Sequence, residues 1–146
     1  HLQGRVLGID GRPLAGAAVE IWQCDALGVY RHPRDERGDR RREPGFQGRG
    51  RVTADTTGAY RFRTIKPVAY PGRTPHIHFA VKMKGREKWT TQCYVKGDPQ
   101  NEKDSVLRGI KDAKARESVI VDFAAIKDSK TGGLAAKFPI LTQAAL

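Results

Sequence analysis

The feature that most constrains this chain is its punctuation. Short runs of alternating apolar and polar residues are each cut off within about ten residues by Gly, Pro or Asp. The runs are GRVLG (4–8), AAVEIWQC (17–24), GRVTAD (50–55), AYRFRTI (59–65), HIHFAVKM (76–83), WTTQCYV (89–95), SVIVDFAAI (118–126) and AAKFPIL (135–141). A period of two puts successive side chains on opposite faces, so each run can bury one face and leave the other to solvent or a site. DGRP at 10–13 and DTTG at 55–58 have the residues of hairpin turns. Only SVLRGIKDAKAR (105–116) has helical character, and Gly109 interrupts it. The expectation is an all-β, single-domain β-sandwich of about eight strands with one short helical segment, spanning residues 1–146. A chain of 146 residues is long enough for a two-layer core.

Charge offers a competing idea. There are 27 Lys and Arg against 16 Asp and Glu, a net charge of +11, which is the balance of a nucleic-acid binder. The densest basic run, RHPRDERGDRRREPG (31–45), is nonetheless interleaved with Asp35, Glu36, Asp39 and Glu43. It contains no aromatic residue to stack on bases and no recognition helix or zinc framework surrounds it. A solvated loop is the reading, with no nucleic-acid partner. No apolar run is long enough for a membrane-spanning helix, so no membrane partner is expected either. Cys24 and Cys93 are too few for a disulfide framework and read as two buried thiols. The chain begins with His1 rather than Met, as a processed or partial chain does. A periplasmic or secreted location is slightly favoured over a cytoplasmic one.

Chemistry concentrates in YPGRTPHIHFAVK (70–82). His76 and His78 share one face of a strand while Ile77 and Phe79 take the other, and Tyr70 and Arg73 lie just ahead. An H-x-H pair alone is as compatible with two surface histidines as with a site. A second cluster, WQCDALGVYRH (22–32), places Tyr30 in a Gly-containing loop directly after a strand. Weighed together, two imidazoles and two phenols suit a hard, highly charged transition ion, since phenolate oxygen is a strong anionic donor. Ferric, non-haem iron is the match, because two phenolates and a hydroxide cancel its charge in a buried site. Zinc would instead draw on Cys, His or carboxylate. Trp22 and Tyr60 read as core aromatics and His32 as a solvated loop residue. The segments GRVLGIDGRPLAGAAVEI and DTTGAYRFRTI, taken alone, also read as a non-catalytic β-sandwich adhesion or carbohydrate-associated module.

In VEIWQCDALGVYRH, GAYRFRTIKPVAYPGRTPHIHF and TQCYVKGDP, in that order, the chain resembles the intradiol ring-cleaving dioxygenases, including the protocatechuate 3,4-dioxygenase β-subunit type. The resemblance runs from about Gly4 to Leu141. It implies that Tyr30, Tyr70, His76 and His78 bind Fe(III), with Tyr70 the ligand that gives way to substrate. It also implies that Arg73 lies against the substrate ring and stabilises charge there, and that Gln92 lines the same site. Tyr94, two residues further along the strand, is a candidate pocket residue. The implied substrates are a small aromatic diol (catechol, hydroxyquinol or protocatechuate) and O2, with a muconate-type dicarboxylic acid as product. A homo-oligomer is compatible with this reading. Two features depart from the pattern: the PGRTP connection between Tyr70 and His76 is short, and no helical dimerisation segment of the catechol 1,2-dioxygenase kind precedes the first strand.

Overall fold

A computed structural model describes residues 1–31 and 43–142. His32 and most of the basic run at 31–45 lie outside the described residues. The chain folds into two five-stranded mixed sheets packed face to face. The strands are β1 (Leu2–Leu7), β2 (Ala18–Trp22), β3 (Arg49–Thr53), β4 (Ala59–Phe62), β5 (His76–Lys82), β6 (Trp89–Val95), β7 (Ile120–Val121), β8 (Phe123–Ala125), β9 (Leu134–Lys137) and β10 (Ile140–Leu141). A 3-10 turn at Pro99–Lys103 and two short helices, α1 (Ser105–Gly109) and α2 (Ala113–Ser118), fall between β6 and β7. The β-sandwich expected from the punctuation is therefore the fold.

Three expected boundaries shift, each for a local reason. The single helical segment is two helices, because Ile110 leaves the helix at ψ 102° and Asp112 starts a new one by capping Ala115 N–H at 2.7 Å. The run 118–126 is two strands that belong to different sheets, β7 beside β6 and β8 beside β9. The run 135–141 is also two strands, because Pro139 cannot donate to a ladder. Both halves lie parallel to β1, β9 opposite Leu2 and Gln3 and β10 opposite Val6 and Leu7. At the break between them Gly4 is required. A Cβ there would stand 2.0 Å from the Phe138 carbonyl oxygen, and it would crowd Tyr60, whose hydroxyl donates to that same oxygen at 2.5 Å.

DGRP and DTTG do form turns, with Gly11 N–H bonded to Gly8 C=O and Gly58 N–H to Asp55 C=O. DGRP closes a minimal antiparallel pair, Leu7 opposite Pro13, with Gly8 N–H donating to the Arg12 carbonyl and Leu14 N–H to that of Val6, but neither turn joins two strands of one sheet. Each carries the chain from one sheet to the other, since β1 and β4 pair together while β2 and β3 pair in the second sheet. The second sheet runs β3-β2-β5-β6-β7. Its inner face, from Val19, Ile21, Ile77, Phe79, Val81 and Cys93, packs on Leu2, Val6, Tyr60, Phe62, Phe138 and Ile140 from the first. Cys24 and Cys93 are both buried, and no disulfide joins them. No helix among the described residues is long and apolar enough to cross a membrane.

Candidate metal and substrate site

The outer face of the second sheet carries what the inner face excludes. The antiparallel registers place Trp22 opposite His78, His78 opposite Gln92, and His76 opposite Tyr94. One row across β2, β5 and β6 thus reads Trp22, His78, Gln92, with His76 and Tyr94 in the row beside it. Two loops then bring the tyrosines over this face.

The first loop follows β2 and is wound around Asp25. This buried carboxylate accepts Leu27 N–H at 2.9 Å and Val29 N–H at 3.0 Å on Oδ1, and Glu43 N–H at 2.9 Å on Oδ2. Gly28, at φ 75°, makes the turn that aims Tyr30 back at the sheet. The second loop is a tight turn whose ends are Tyr70 and Arg73. Arg73 N–H donates to the Tyr70 carbonyl at 2.8 Å, with Pro71 and Gly72 (φ 79°) in the two central positions of a type II turn. The loops touch each other. A Cβ on Gly28 would lie 3.0 Å from the Ala69 carbonyl oxygen, and the Cys24 thiol reaches the Val68 carbonyl at 3.6 Å.

Three polar atoms converge where these elements meet. Tyr30 Oη lies 3.2 Å from His76 Nε2 and 3.1 Å from His78 Nε2, and the two Nε2 atoms are 3.2 Å apart. Donors ~2.1 Å from a common ion and roughly 100° apart would be about 3.2 Å from one another, so the triangle has the dimensions of one face of a metal's coordination shell. The Tyr70 ring stands edge-on to that of Tyr30 with centroids 4.9 Å apart, which brings the second phenol into the same cluster. Among the described residues no group of three His, Cys, Asp or Glu side chains could hold a metal, so an ion here relies on phenolic oxygen.

Each imidazole is prepared to offer a lone pair. His76 Nδ1 donates to the Thr74 carbonyl at 2.7 Å, which leaves Nε2 unprotonated in the neutral ring. Burial holds the His76 pKa below the usual imidazole range. Burial, with His76 and Arg73 adding to it, pushes His78 down to about 4. Both rings are therefore neutral near pH 7. The His78 ring lies flat on Trp22, centroids 4.8 Å apart and planes 3° from parallel. Trp22 is thus not a core aromatic but a plate behind a site residue, whereas Tyr60 is in the core as expected.

Beside the triangle runs a chain of hydrogen bonds. Arg73 Nη2 donates to Gln92 Oε1 at 2.6 Å, and the Tyr94 hydroxyl donates to the same oxygen at 2.8 Å. Burial raises the Tyr94 pKa to about 12, which keeps its hydroxyl a donor. With Oε1 doubly engaged, the Gln92 amide nitrogen is the end left for a ligand. The structure therefore gathers Tyr30, Tyr70, Arg73, His76, His78, Gln92 and Tyr94 on one face of one sheet. Sequence reasoning missed Asp25, Thr74 and Asp104. The signals were present: Asp25 stands three residues before a Gly, as in a turn, and Asp104 directly precedes a helical run, as a cap does.

With the geometry in place, comparison gives a consistent answer. A family model described as "Dioxygenase" matches residues 1–144. The chain is 38% identical over 147 residues to the protocatechuate 3,4-dioxygenase beta chain of Burkholderia cepacia, covering 94% of this chain and 61% of that one. It is 36% identical to catechol 1,2-dioxygenase 2 of Acinetobacter lwoffii over 67% of this chain and 40% of that one. Among solved structures, the dioxygenase domain of a carbohydrate-binding fusion protein from Streptomyces sp. SirexAA-E superimposes with a TM-score of 0.74 at 29% identity, over 99% of this chain and 79% of that one. The chain thus spans between two fifths and about three fifths of the length of these two curated relatives.

Proposed function

The chain belongs to the intradiol dioxygenase family, and from that membership we propose that residues 1–146 form a catalytic domain. Its reaction is cleavage of a catechol-type diol by O2 between the two hydroxyl-bearing carbons, giving a muconate-type dicarboxylic acid. Catechol, hydroxyquinol and protocatechuate are the candidate substrates. The single observation that carries the reading is the triangle of Tyr30 Oη, His76 Nε2 and His78 Nε2, with 3.1–3.2 Å edges. A β-sandwich adhesion module has no use for three donors packed that closely.

Tyr30, Tyr70, His76 and His78 fit non-haem Fe(III), since two neutral imidazoles and two phenolates are the hard anionic set that ion prefers. When bound, iron would supply a Lewis-acidic centre that polarises the diol and accepts electron density from its ring. The protein's own groups do the rest. Tyr70, in a turn rather than a strand, is the donor able to move aside and take up a diol proton. Tyr30 stays, because its loop is wound on Asp25. Arg73 holds Gln92 through Nη2, and Nη1, which has no hydrogen-bond partner among the described residues, is free to face negative charge on the ring. Gln92 presents its amide N–H groups beside His78, where a ring oxygen would be oriented.

The test is metal content, colour and product. The purified or ferrous-loaded and air-oxidised protein is expected to hold about one ferric ion per chain, with the red-brown absorption of tyrosinate–iron charge transfer, and to convert one of the three diols to a ring-opened dicarboxylic acid. A protein that stays colourless after loading overturns the iron site. A semialdehyde product, from cleavage beside the diol, overturns the intradiol assignment.

A further inference from the structure

Arg73 is gripped from behind by a carboxylate that has no place in the donor set. The Asp104 side chain is 0% exposed and divides its two oxygens between two tasks. Oδ1 caps α1, accepting Val106 N–H at 3.0 Å and Leu107 N–H at 2.9 Å. Oδ2 faces the other way, accepting Arg73 Nε–H at 2.8 Å and Thr74 N–H at 3.0 Å. Burial alone would raise this carboxyl, but the bonds from Arg73, Leu107 and Thr74 hold it below the usual carboxylate range, so it is an anion under Arg73.

The geometry decides which part of Arg73 is left over. Nε is taken by Asp104 and Nη2 by Gln92 and, at 3.4 Å, the Tyr94 hydroxyl. Guanidinium N–H bonds lie in the plane of the group, so acceptors held at both Nε and Nη2 fix that plane, and Nη1 then points in one direction only. The bracket behind Asp104 is equally constrained. Thr74 Oγ1 donates to Asn101 Oδ1 at 2.7 Å, and Asn101 Nδ2 donates to the Val95 carbonyl at 2.8 Å. The stretch from Asn101 to Leu107 therefore ties the Arg73 turn to the end of β6. We propose that Asp104 is a positioning residue for the proposed reaction, one that acts on the substrate only through Arg73 by holding the guanidinium so that Nη1 faces the diol ring. The inference rests on the reading of Arg73 given above.

The rival is that Asp104 is merely a helix cap, and the test separates the two. Asp104→Asn keeps an acceptor for the cap but turns an amide toward the Nε–H of Arg73, donor against donor. In the metal-free full chain the Arg73 Nε–H is expected as a slowly exchanging, shifted resonance, identified by its loss in Arg73→Ala, and Asp104→Asn is expected to abolish it. In the iron-loaded protein Asp104→Asn is expected to lower kcat on the order of 100-fold, with KM, iron content and visible band little changed. Placed in the Arg73→Ala background, Asp104→Asn is expected to add no further loss. An unperturbed Nε–H signal, or the same fold-loss in both backgrounds, overturns the proposal. Should Asp104→Asn fail to fold, Asp104→Ser takes its place, since Ser caps as well but is too short to reach Arg73. If the wild-type protein binds no iron and cleaves no diol, the proposed function fails, while the Nε–H measurement still decides what Asp104 does.

Discussion

The two faces of β5 are one residue apart and do opposite things. Ile77, Phe79 and Val81 point inward, are at most 1% exposed, and pack on aromatic and aliphatic side chains from both sheets. His76 and His78 point outward, where they meet a phenol, an indole and the row that ends at Gln92. The inner face is defined by how much apolar area it removes from water, so it tolerates similar shapes. The outer face is defined by where four or five polar atoms lie, and a displacement of about 1 Å undoes it. Stability and the proposed chemistry are thus separated by the pleat of a single strand.

Exchanging losses between the faces gives the largest effects. His78→Ala is expected to abolish iron retention and turnover, yet to leave the metal-free protein folded with Tm near wild type, because it removes a ring whose burial is only partial. Phe79→Ala is expected to cost about 3–5 kcal/mol, since the ring is fully buried and meets Tyr60 and Phe138 edge-on. Chemical denaturation of the metal-free proteins, paired with iron analysis, reads both. Equal destabilisation by the two variants would mean that the faces are not separable.

A subtler exchange uses Trp22, which supports the site without donating to it. No hydrogen bond from the described residues orients His78 as Thr74 orients His76, and the flat indole contact stands in for one. Trp22→Leu keeps a large apolar side chain and removes the plate. Iron affinity, measured by competition with a chelator, is expected to fall roughly 10-fold, as when an outer-shell partner of a metal-bound imidazole is lost. Unchanged affinity would show that β5 alone aims the ring.

How far the chain could be read in advance follows the same division. Alternation reports faces, so the sandwich, the inner row and the shared face of His76 and His78 are all visible in HIHFAVKM. Gln92 and Tyr94 follow from the same period, and the structure pairs them across from His78 and His76. Period is silent on which sheet a strand joins. For that reason 118–126 reads as one strand although Asp122 separates a strand beside β6 from one beside β9, and DTTG reads as a hairpin although it changes sheets. Trp22 reads as a core aromatic because its role depends on the residue opposite it in a neighbouring strand, 56 positions away in the chain. Asp104 lies 31 positions from Arg73 and was hidden for the same reason.

The smallest expected effect sharpens the comparison through pH. Among the inner-face residues named above only Cys93 carries a titratable group, and burial pushes its thiol up to about 12, so acid leaves that face unchanged. The outer face does titrate. With no metal present, burial lowers the pKa of His76, and lowers that of His78 from 6.5 to about 4. As pH falls through 6.5 the unfolded chain takes up protons at these two positions before the folded one does, so stability rises with pH across this window. It is fully present above pH 6.5 and is lost progressively toward pH 4. The metal-free protein is expected to show a Tm lower by about 3–8 °C at pH 4.5 than at pH 7. His78→Ala, which removes the more strongly shifted ring, should flatten most of that slope. A wild-type Tm that does not fall over this range, or a slope unchanged in His78→Ala, would show that the two imidazoles meet water more freely than their packing against Tyr30, Trp22 and Tyr94 implies.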